Sequence, residues 1–290
     1  MEKLKVDLSG KVVIITGASS GIGKELANYI SSYNPKRLIL PVRNRTKSQA
    51  TLEYIKEKNG FTNAELWDMD LADLTSVRSF AKKVVEEVDQ VHVLINNAGV
   101  VLYDLSYTKN GLETHFQVNY LGHFLLTTSL LDTLKKSGTD TFPARVINVS
   151  SFESLNGVID YNNIDGKKSS NALEMYRNSK LMNHMFSNEL NKRLAGTNVV
   201  SLAMCPGFIN TNIGEASGLA GMWRDLVFTL ISATTETASH NVLKPSLLDV
   251  QQNAGKFFRD GELSNGNPLA DDEELRIKFW EYSEHVLAEH

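Results

Sequence analysis

Short apolar runs alternate with amphipathic stretches along almost the whole chain. The run at 11–16 is β-branched at most positions and ends at Gly17, which is typical of a strand buried on both faces. Behind it, Ile22, Leu26 and Ile30 recur at the spacing of one helix face. The same alternation predicts further strands at 37–42, 64–69, 91–95, 145–149, 199–204 and 256–258. Between and after these strands it predicts helices at 47–58, 73–88, 112–136, 172–195, 236–248 and from 271 onward.

Strands that alternate with helices predict right-handed crossovers, and therefore a parallel sheet with helices on both faces. We expect an α/β fold of the doubly wound Rossmann type with a seven-stranded parallel sheet. No Pro/Gly/Ser-rich linker interrupts the alternation, and no internal repeat of ~20–50 residues occurs. The whole chain, residues 1–290, is therefore predicted to form a single domain.

Composition narrows the class of protein. The 290 residues are 42% hydrophobic and 22% charged, which is close to the globular average and excludes a disordered or fibrous chain. The 30 basic and 34 acidic residues give a net charge of −4, without the basic excess that nucleic-acid binding needs. The single cysteine, Cys205, cannot form an intramolecular disulfide, so we expect a reducing compartment and a cytoplasmic protein. No run approaches the ~18 apolar residues of a membrane span, and no signal peptide is expected.

A glycine-rich turn joins the first predicted strand to the first predicted helix. Gly17, Gly21 and Gly23 are separated by three residues and then by one, in the segment Thr-Gly-Ala-Ser-Ser-Gly-Ile-Gly. Glycines let the backbone pass close to a pyrophosphate, whose negative charge faces the amides of a helix N-terminus. A glycine triplet elsewhere is usually only a turn, but its position after the first strand favours a nucleotide-binding site.

Three further motifs follow the glycine turn in order along the chain. They are Asn96-Asn-Ala-Gly99 after the fourth strand, Tyr176-Arg-Asn-Ser-Lys180 on a helix, and Pro206-Gly-Phe-Ile-Asn-Thr211 after the sixth strand. Over about residues 8–260 the chain resembles the classical short-chain dehydrogenase/reductase family. It is most similar to the retinol dehydrogenase and WW-domain-containing oxidoreductase branch, in the segments 21–25, 118–126 and 186–190. The resemblance implies an oxidoreductase that transfers hydride to or from a nicotinamide dinucleotide.

The resemblance also implies where the cofactor would lie. It assigns the pyrophosphate to the glycine turn, the adenosine to the ends of the second, third and fourth strands, and the nicotinamide ribose to the Tyr-x-x-x-Lys helix. The cofactor-binding residues that we expect are Gly17, Ser19, Ser20, Gly21, Ile22, Gly23, Arg43, Asn44, Asp70, Leu71, Asn97, Ala98, Gly99, Tyr176, Lys180, Pro206, Gly207, Ile209 and Thr211.

Charge after the second strand favours NADP(H) over NAD(H). An acidic residue there would bind a ribose 2′-hydroxyl, whereas an arginine would accommodate a 2′-phosphate. The chain has Arg43 and Arg45 at this point and no acidic residue before Glu53. The alternative is that both arginines are solvated loop charges. Asp70, after the third strand, resembles the aspartate that contacts adenine in the family, and a loop-capping role is its alternative.

The candidate catalytic residues begin with Tyr176 and Lys180, which lie four residues apart and so on one face of a helix. A nearby ammonium and an oxidised nicotinamide both favour the phenolate of a tyrosine. The resemblance implies that Tyr176 exchanges the proton of the carbonyl or alcohol oxygen and that Lys180 holds the nicotinamide ribose. It also selects Ser151 over Ser150 as the donor to the substrate oxygen, with Ser150 as a turn or backbone partner.

Asn119 resembles a fourth family residue, which bends its helix and relays protons through water to the lysine. Its alternative is a bond to the carbonyl four residues earlier on the helix. The seven histidines form no His-x-His or His-Glu-x-x-His grouping, so no catalytic metal is expected, and His123 is interpreted as a packed helix residue.

The stretch at about 212–235 carries more apolar residues than a solvated connection should expose. The resemblance implies a lid over the substrate, which favours a small apolar carbonyl or alcohol such as a steroid, a retinoid or a lipid aldehyde or ketone. A core-packing helix and a surface helix that dips into lipid are the alternatives. Peripheral contact with a lipid surface is therefore a further hypothesis.

The leading hypothesis is an enzyme that reduces an apolar carbonyl with NADPH. A second hypothesis is an NADP(H)-binding regulatory or scaffold protein on the same fold with little turnover, because a fold alone does not establish activity. An epimerase or dehydratase is a third, which the glycine spacing disfavours. A homodimer that pairs through the helices at 112–136 and 172–195 is also a hypothesis, although both helices have core faces that explain their apolar residues.

Overall fold

The computed structural model describes residues 4–168, 171–207, 234–248 and 250–290. In this part of the chain all strands belong to one sheet, in the order β3-β2-β1-β4-β5-β6-β7-β8. Strands β1 to β7 are parallel, and β8 pairs antiparallel with β7. The strands are β1 (Val12–Ile15), β2 (Arg37–Val42), β3 (Ala64–Asp68), β4 (Val93–Asn96), β5 (Ala144–Val149), β6 (Val199–Cys205), β7 (Phe257–Arg259) and β8 (Glu262–Leu263).

The doubly wound parallel sheet is confirmed, with one strand more than the seven predicted. The additional strand, β8, is only two residues long and follows β7 through a turn at Asp260 and Gly261, both of which have positive φ. Two residues carry no periodicity that could reveal a strand. The sequence therefore predicted the seven parallel strands and missed the antiparallel edge.

Helices connect the parallel strands on both faces of the sheet. They are α1 (Gly21–Ser31), α2 (Arg45–Asn59), α3 (Leu74–Glu87), α4 (Gly122–Ser129), α5 (Leu131–Ser137), α6 (Ala172–Arg193), α7 (Thr235–Leu247), α8 (Val250–Asn253) and α9 (Glu273–Glu289). Among the described residues, a π-helical turn at Phe116–Leu121 precedes α4, and 3₁₀ turns occur at Phe152–Asn156 and Pro268–Ala270. Side chains of Asn44, Asp73 and Asn171 cap the N-termini of α2, α3 and α6 by accepting backbone N–H bonds.

The prediction of a single helix at 112–136 is wrong, because this stretch forms three separate helical segments. The π-helical turn Phe116–Leu121 comes first, then α4, and a break at Leu130 separates α4 from α5. At that break the Thr128 hydroxyl donates to the carbonyls of Phe124 and Leu125, and the Leu130 amide bonds three residues back to Thr127. Apolar periodicity continues through both irregularities, so the pattern alone does not reveal them.

Alternate residues of the central strands β1, β2 and β4 pack into two separate cores. In β1, Val12 and Ile14 pack on the side of α3, α4, α6 and α9, whereas Val13 and Ile15 pack on the side of α1, α2 and α7. A sheet covered on both faces needs apolar residues at every strand position, which explains the unbroken β-branched runs.

The C-terminal helix α9 lies against α4 and α6 through aromatic side chains. The Trp280 ring is 4.8 Å from that of Phe124 and 5.7 Å from that of Phe186, centroid to centroid. The Tyr120 hydroxyl, in the π-helical turn, forms a 2.7 Å hydrogen bond with the Ser283 hydroxyl of α9. The last helix of the chain is thus part of the core.

We expect Trp280→Ala to lower the free energy of unfolding by about 3–5 kcal/mol, because it removes a buried aromatic side chain and leaves a cavity. Ile277→Ala on the same helix removes a side chain that is 38% exposed and should change it by less than about 1 kcal/mol. Chemical denaturation of wild type and both variants measures these changes in the free energy of unfolding. Equal losses would contradict the described packing of α9.

Candidate active site

The candidate site lies at the carboxyl edge of the sheet, where four neighbouring strands end. β1 leads into the glycine turn, β4 into Asn97–Gly99, β5 into Ser150 and Ser151, and β6 into Pro206 and Gly207. The chain order of the strands reverses between β1 and β4, which are neighbours in the sheet. In open α/β sheets, ligands bind in the crevice at such a reversal.

The glycine turn interlocks with the segment after β4. Gly17 has φ +71°, and a Cβ atom there would lie 2.7 Å from the Cα atom of Ala98. A Cβ atom on Gly23 would overlap the carbonyl oxygen of Gly17. The Thr16 hydroxyl accepts 2.9 Å hydrogen bonds from the amides of Asn97 and Ala98. Side chains larger than hydrogen would therefore force the two segments apart.

The start of α1 suits a phosphate group. Ser20 is the N-cap in an extended conformation, and its side chain makes no capping hydrogen bond. The first turn contains no acidic residue, so the amides at 21–23 and the positive end of the helix dipole are available to an anion. Ser19 and Ile22 belong to the same turn. These residues fit the pyrophosphate of a dinucleotide.

The two arginines after β2 have different environments. Arg45 binds both carboxylate oxygens of Asp68, at 2.7 and 2.9 Å. Arg43 is exposed and forms no ion pair with any carboxylate of the described residues. Asn44, between them, uses its side chain to cap α2. Arg43 is thus the arginine at this edge whose charge is available to a ligand.

Asp70 and Leu71 follow β3. The Asp70 carboxylate accepts a 2.9 Å hydrogen bond from the amide of Ala72, which is the loop-capping geometry given above as its alternative. Leu71 is buried, and its side chain packs where a Cβ atom on Gly122 would lie.

Tyr176 and Lys180 lie on α6, one turn apart, as predicted. The Lys180 ammonium is 5.9 Å from the centroid of the Tyr176 ring and donates a 3.1 Å hydrogen bond to the carbonyl of Val149, at the end of β5. Only 4% of Lys180 is exposed. A Cβ atom on Gly99 would lie 3.1 Å from the ammonium, so this glycine leaves the room that the lysine head occupies.

The two serines after β5 point to different partners. The Ser150 hydroxyl donates a 2.7 Å bond to the carbonyl of Lys180 and is buried. The Ser151 hydroxyl caps the 3₁₀ turn by accepting from the amide of Glu153, and it also hydrogen-bonds the phenol of Tyr176. Of the two, Ser151 is the hydroxyl that shares its surroundings with the phenol.

Asn119 is fully buried in the π-helical turn. Its amide oxygen accepts from the amide of Val100, and its amide nitrogen donates to the Val100 carbonyl and to the Ser179 hydroxyl. Ser179 in turn donates to the carbonyl of Tyr176. The side chain therefore does not bond back along its own helix, and it joins the segment after β4 to α6.

Burial shifts the two titratable groups in opposite directions. Burial raises the pKa of the Tyr176 phenol to about 12, although its hydrogen bond to Ser151 acts the other way. Burial lowers the pKa of the Lys180 ammonium to about 8. At neutral pH the phenol keeps its proton, while the lysine is close to the pH at which it loses one.

His123 takes part in the site in a way that the sequence did not reveal. It is buried, as predicted, and burial lowers its pKa to about 4. Its Nε2 atom is 2.9 Å from the Thr16 hydroxyl, and its Nδ1 atom is 3.1 Å from the carbonyl of Asn119. The neutral ring donates through Nδ1 and accepts through Nε2, and so links the glycine turn to the π-helical turn.

The structure describes only some of the cofactor-binding residues predicted after β6. Pro206 and Gly207 follow β6, where the Pro206 carbonyl accepts from the Asn241 side chain and Gly207 has φ +97°. Ile209, Thr211 and the predicted lid up to residue 233 lie outside the described residues.

Within the described ranges, no group of three or more His, Cys, Asp or Glu side chains converges as metal ligands would. No helix described here has both the length and the apolarity to cross a membrane.

Comparison with known proteins gives a consistent result. The family model described as short chain dehydrogenase matches residues 11–219. Human retinol dehydrogenase 12 is 36% identical over 287 residues, which cover 98% of this chain and 89% of that protein. Human retinol dehydrogenase 13 is 35% identical over 293 residues, with coverage of 98% and 86%.

Solved structures share the fold. An uncharacterised protein from Mycobacterium paratuberculosis superposes with a TM-score of 0.76 at 28% identity and covers 98% of this chain and 96% of its own. The NADPH-bound carbonyl reductase from chicken fatty liver gives a TM-score of 0.67 at 20% identity, with coverage of 89% and 99%. At that identity the second likeness concerns the fold alone.

Lys180 should destabilise the fold at neutral pH. A lysine whose folded pKa is about 8 and whose ordinary value is 10.5 binds its proton less tightly in the folded chain, at a cost of roughly 3 kcal/mol below pH 8. This cost disappears as the pH rises to 10.5. The Val149 carbonyl keeps a second donor, the Asn183 side chain, when the lysine is removed.

We therefore expect Lys180→Met to raise the free energy of unfolding by about 1–2 kcal/mol at pH 6.5, with a gain that shrinks toward pH 10. Lys82→Met, at a lysine that is 75% exposed, is the control and should show no such trend. Denaturant unfolding at both pH values measures the difference. A gain that is absent, or constant with pH, would show that the ammonium is not desolvated.

Proposed function

Because the chain belongs to the short-chain dehydrogenase/reductase family, and is an oxidoreductase acting on CH–OH groups with a nicotinamide cofactor, we propose that it reduces an apolar carbonyl compound with NADPH. The substrate class is a retinoid, a steroid or a lipid aldehyde or ketone. The observation that carries this proposal is the meeting of a buried lysine, a phenol and a serine hydroxyl beside the glycine turn.

The proposed chemistry is carbonyl reduction with proton donation by Tyr176. A nicotinamide cofactor held by the glycine turn and Lys180 would supply a hydride to the carbonyl carbon. The phenol carries a proton at neutral pH, and it donates that proton to the substrate oxygen. The Ser151 hydroxyl, which is bonded to the same phenol, donates to the oxygen and stabilises its developing charge.

In this proposal Lys180 returns a proton to the Tyr176 phenol and Asn119 positions it. A lysine with a pKa of about 8 can release and regain a proton near physiological pH, which suits a group that restores the proton of Tyr176. Through its hydrogen bond to Ser179, Asn119 fixes the turn of α6 that carries the phenol. It also holds Val100 beside Gly99. Lys180 would also hold the ribose next to the nicotinamide.

The preference for NADPH rests on charge at the end of β2. Arg43 is exposed and has no carboxylate partner among the described residues, whereas Arg45 is held by Asp68. A 2′-phosphate would meet the free guanidinium of Arg43, and no acidic residue lies between the end of β2 and Glu53 to accept a 2′-hydroxyl bond. Asn44, engaged at the start of α2, would contribute through its backbone.

The apolar substrate class has two supports. The relatives reported above are named retinol dehydrogenases, and a retinoid is a long apolar molecule. Large apolar side chains are also exposed on the elements that lead to the site: Tyr103 and Tyr107 on the segment after β4, and Leu173 at the start of α6, three residues before Tyr176. An apolar ligand would cover such surface at about 25 cal/mol per Å².

The first test is turnover. Wild-type protein should oxidise NADPH in the presence of retinaldehyde, steroid ketones or aliphatic aldehydes, and Tyr176→Phe should lower kcat by about 10²–10⁴-fold while NADPH affinity is unchanged. Tyr54→Phe, which removes a hydroxyl bound to Glu25 and leaves the Tyr176 phenol in place, is the matched control. Turnover in Tyr176→Phe within a few-fold of wild type would reject the mechanism. Binding of NADPH without turnover on any carbonyl would favour a regulatory protein instead.

The second test concerns the cofactor. A charge-assisted bond between Arg43 and the 2′-phosphate should favour NADPH over NADH by about ten- to a hundredfold in kcat/KM. Arg43→Asp should move the preference toward NADH, because it repels the phosphate and offers an acceptor to the free hydroxyl. Arg45→Ala is the control with a small expected effect. An unchanged ratio of the two kcat/KM values in Arg43→Asp would show that Arg43 is a solvated charge.

A further inference from the structure

A carboxylate and an imidazole are buried together just before the π-helical turn. Glu113 and His115 both have fully buried side chains, and their Oε1 and Nδ1 atoms are 2.8 Å apart. The other carboxylate oxygen of Glu113 accepts a 2.8 Å bond from the amide of Phe116. The Nε2 atom of His115 accepts a 2.9 Å bond from the amide of Leu102, in the segment after Gly99. Every polar atom of the two side chains is thus engaged.

These contacts determine the tautomer of the histidine. A backbone amide can only donate, so Nε2 must be the acceptor and carries no proton. The proton is then on Nδ1 and is donated to Glu113. A carboxylate without a proton can accept hydrogen bonds but cannot donate one. Glu113 therefore disfavours the other tautomer, in which Nδ1 has no proton to donate and Nε2–H would face the N–H of Leu102. Glu113 therefore acts on Leu102 through the ring of His115.

The same imidazole ring contacts the proposed proton donor. The ring centroids of His115 and Tyr176 are 6.0 Å apart, and the planes meet at 69°, in a T-shaped arrangement. His115 thus touches the phenol ring on one side and holds the segment after β4 on the other. Asn119 supports the same two elements four residues later, at the Val100 backbone and, through Ser179, at the Tyr176 carbonyl.

A buried ion in this place is costly for stability. Removing a carboxylate from water is repaid only when its hydrogen bonds are complete, and a well-packed apolar pair would often be as stable. An apolar pair could not accept the N–H of Leu102. The pair therefore provides an oriented acceptor beside the phenol, which apolar packing does not.

We propose that Glu113 and His115 are positioning residues for the reaction, which hold the Tyr176 ring and the Leu102 segment in one arrangement around the reacting carbonyl. This inference rests on the proposed function, in which Tyr176 is the proton donor. Neither residue touches the substrate in this account, and neither exchanges a proton with it. Their contribution is to the orientation of groups that do, where a misplacement of about 1 Å can lower a rate about 10²-fold.

Glu113→Gln is the sharpest substitution, because it keeps the size and removes one acceptor. Glu113 accepts two N–H bonds, one from Nδ1 of His115 and one from Phe116. The amide of glutamine has a single oxygen, so its NH₂ group must face one of these two donors. Either the Phe116 amide meets a donor or His115 changes its tautomer and loses Leu102.

Two measurements test the proposal on purified full-length protein. Steady-state kinetics of Glu113→Gln should show kcat for carbonyl reduction lowered by about ten- to a hundredfold, with the KM and Kd for NADPH unchanged. Hydrogen–deuterium exchange should show a faster exchange of the Leu102 amide than in wild type. Tyr120→Phe is the control, since it removes a buried hydroxyl bond to Ser283 from the same π-helical turn. It should lose stability with kcat and Leu102 exchange unchanged.

If Glu113→Gln does not fold, the double variant Glu113→Leu/His115→Phe carries the test. It removes both polar groups together, keeps an aromatic ring against Tyr176 and leaves the Leu102 amide without its acceptor. The same fall in kcat and the same faster exchange are expected.

Wild-type kcat and wild-type exchange of Leu102 in these variants would overturn the inference, as would an equal fall of kcat in Tyr120→Phe. A failure of the proposed function looks different. In that case wild type would lack turnover, or Tyr176→Phe would retain it, whatever the exchange of Leu102.

Discussion

The proposed chemistry at the carboxyl edge of the sheet depends on the burial of one ammonium group, that of Lys180. Lys180 is held by the carbonyl of Val149, and Gly99 leaves room for its head. Desolvation lowers its pKa to about 8, and the same surroundings raise that of Tyr176 to about 12. A site exposed to water would leave both groups near their ordinary values, with the lysine firmly charged. At the same edge the glycine turn packs directly against the segment after β4.

Three side chains from the π-helical region, His115, Asn119 and His123, hold the neighbouring loops in place. His115 and Asn119 bind the backbone of the segment after β4, and His123 binds Thr16 in the glycine turn. A regular α-helix would turn successive residues by about 100°, so the wider π turn changes which of these side chains face the site. The cofactor-binding turn and the phenol are thus connected through one irregular stretch of helix.

The sequence predicted the parts of this structure that depend on local patterns. Apolar periodicity located seven strands, and the spacing of Tyr176 and Lys180 predicted that they share a face of α6. It missed features that arise from contacts between distant segments. Glu113 and His115 meet Leu102 and Tyr176 only after folding, and nothing in Glu-Thr-His indicates burial. The breaks in the helix at 112–136, the side-chain contacts of His123 and the engagement of Arg45 by Asp68 have the same origin. The short strand β8 lies below the length that periodicity can detect.

The packing of α9 has a consequence for biosynthesis. Trp280 completes the aromatic cluster around Phe124 and Phe186, so the core on that face of the sheet lacks one side until α9 has been synthesised. Strands β1 to β6 precede α9 in the chain and can pair before it is made, while Phe124 and Phe186 stay partly uncovered. During that interval the growing chain exposes an aromatic surface that chaperones recognise, and synthesis interrupted before residue 280 leaves it exposed.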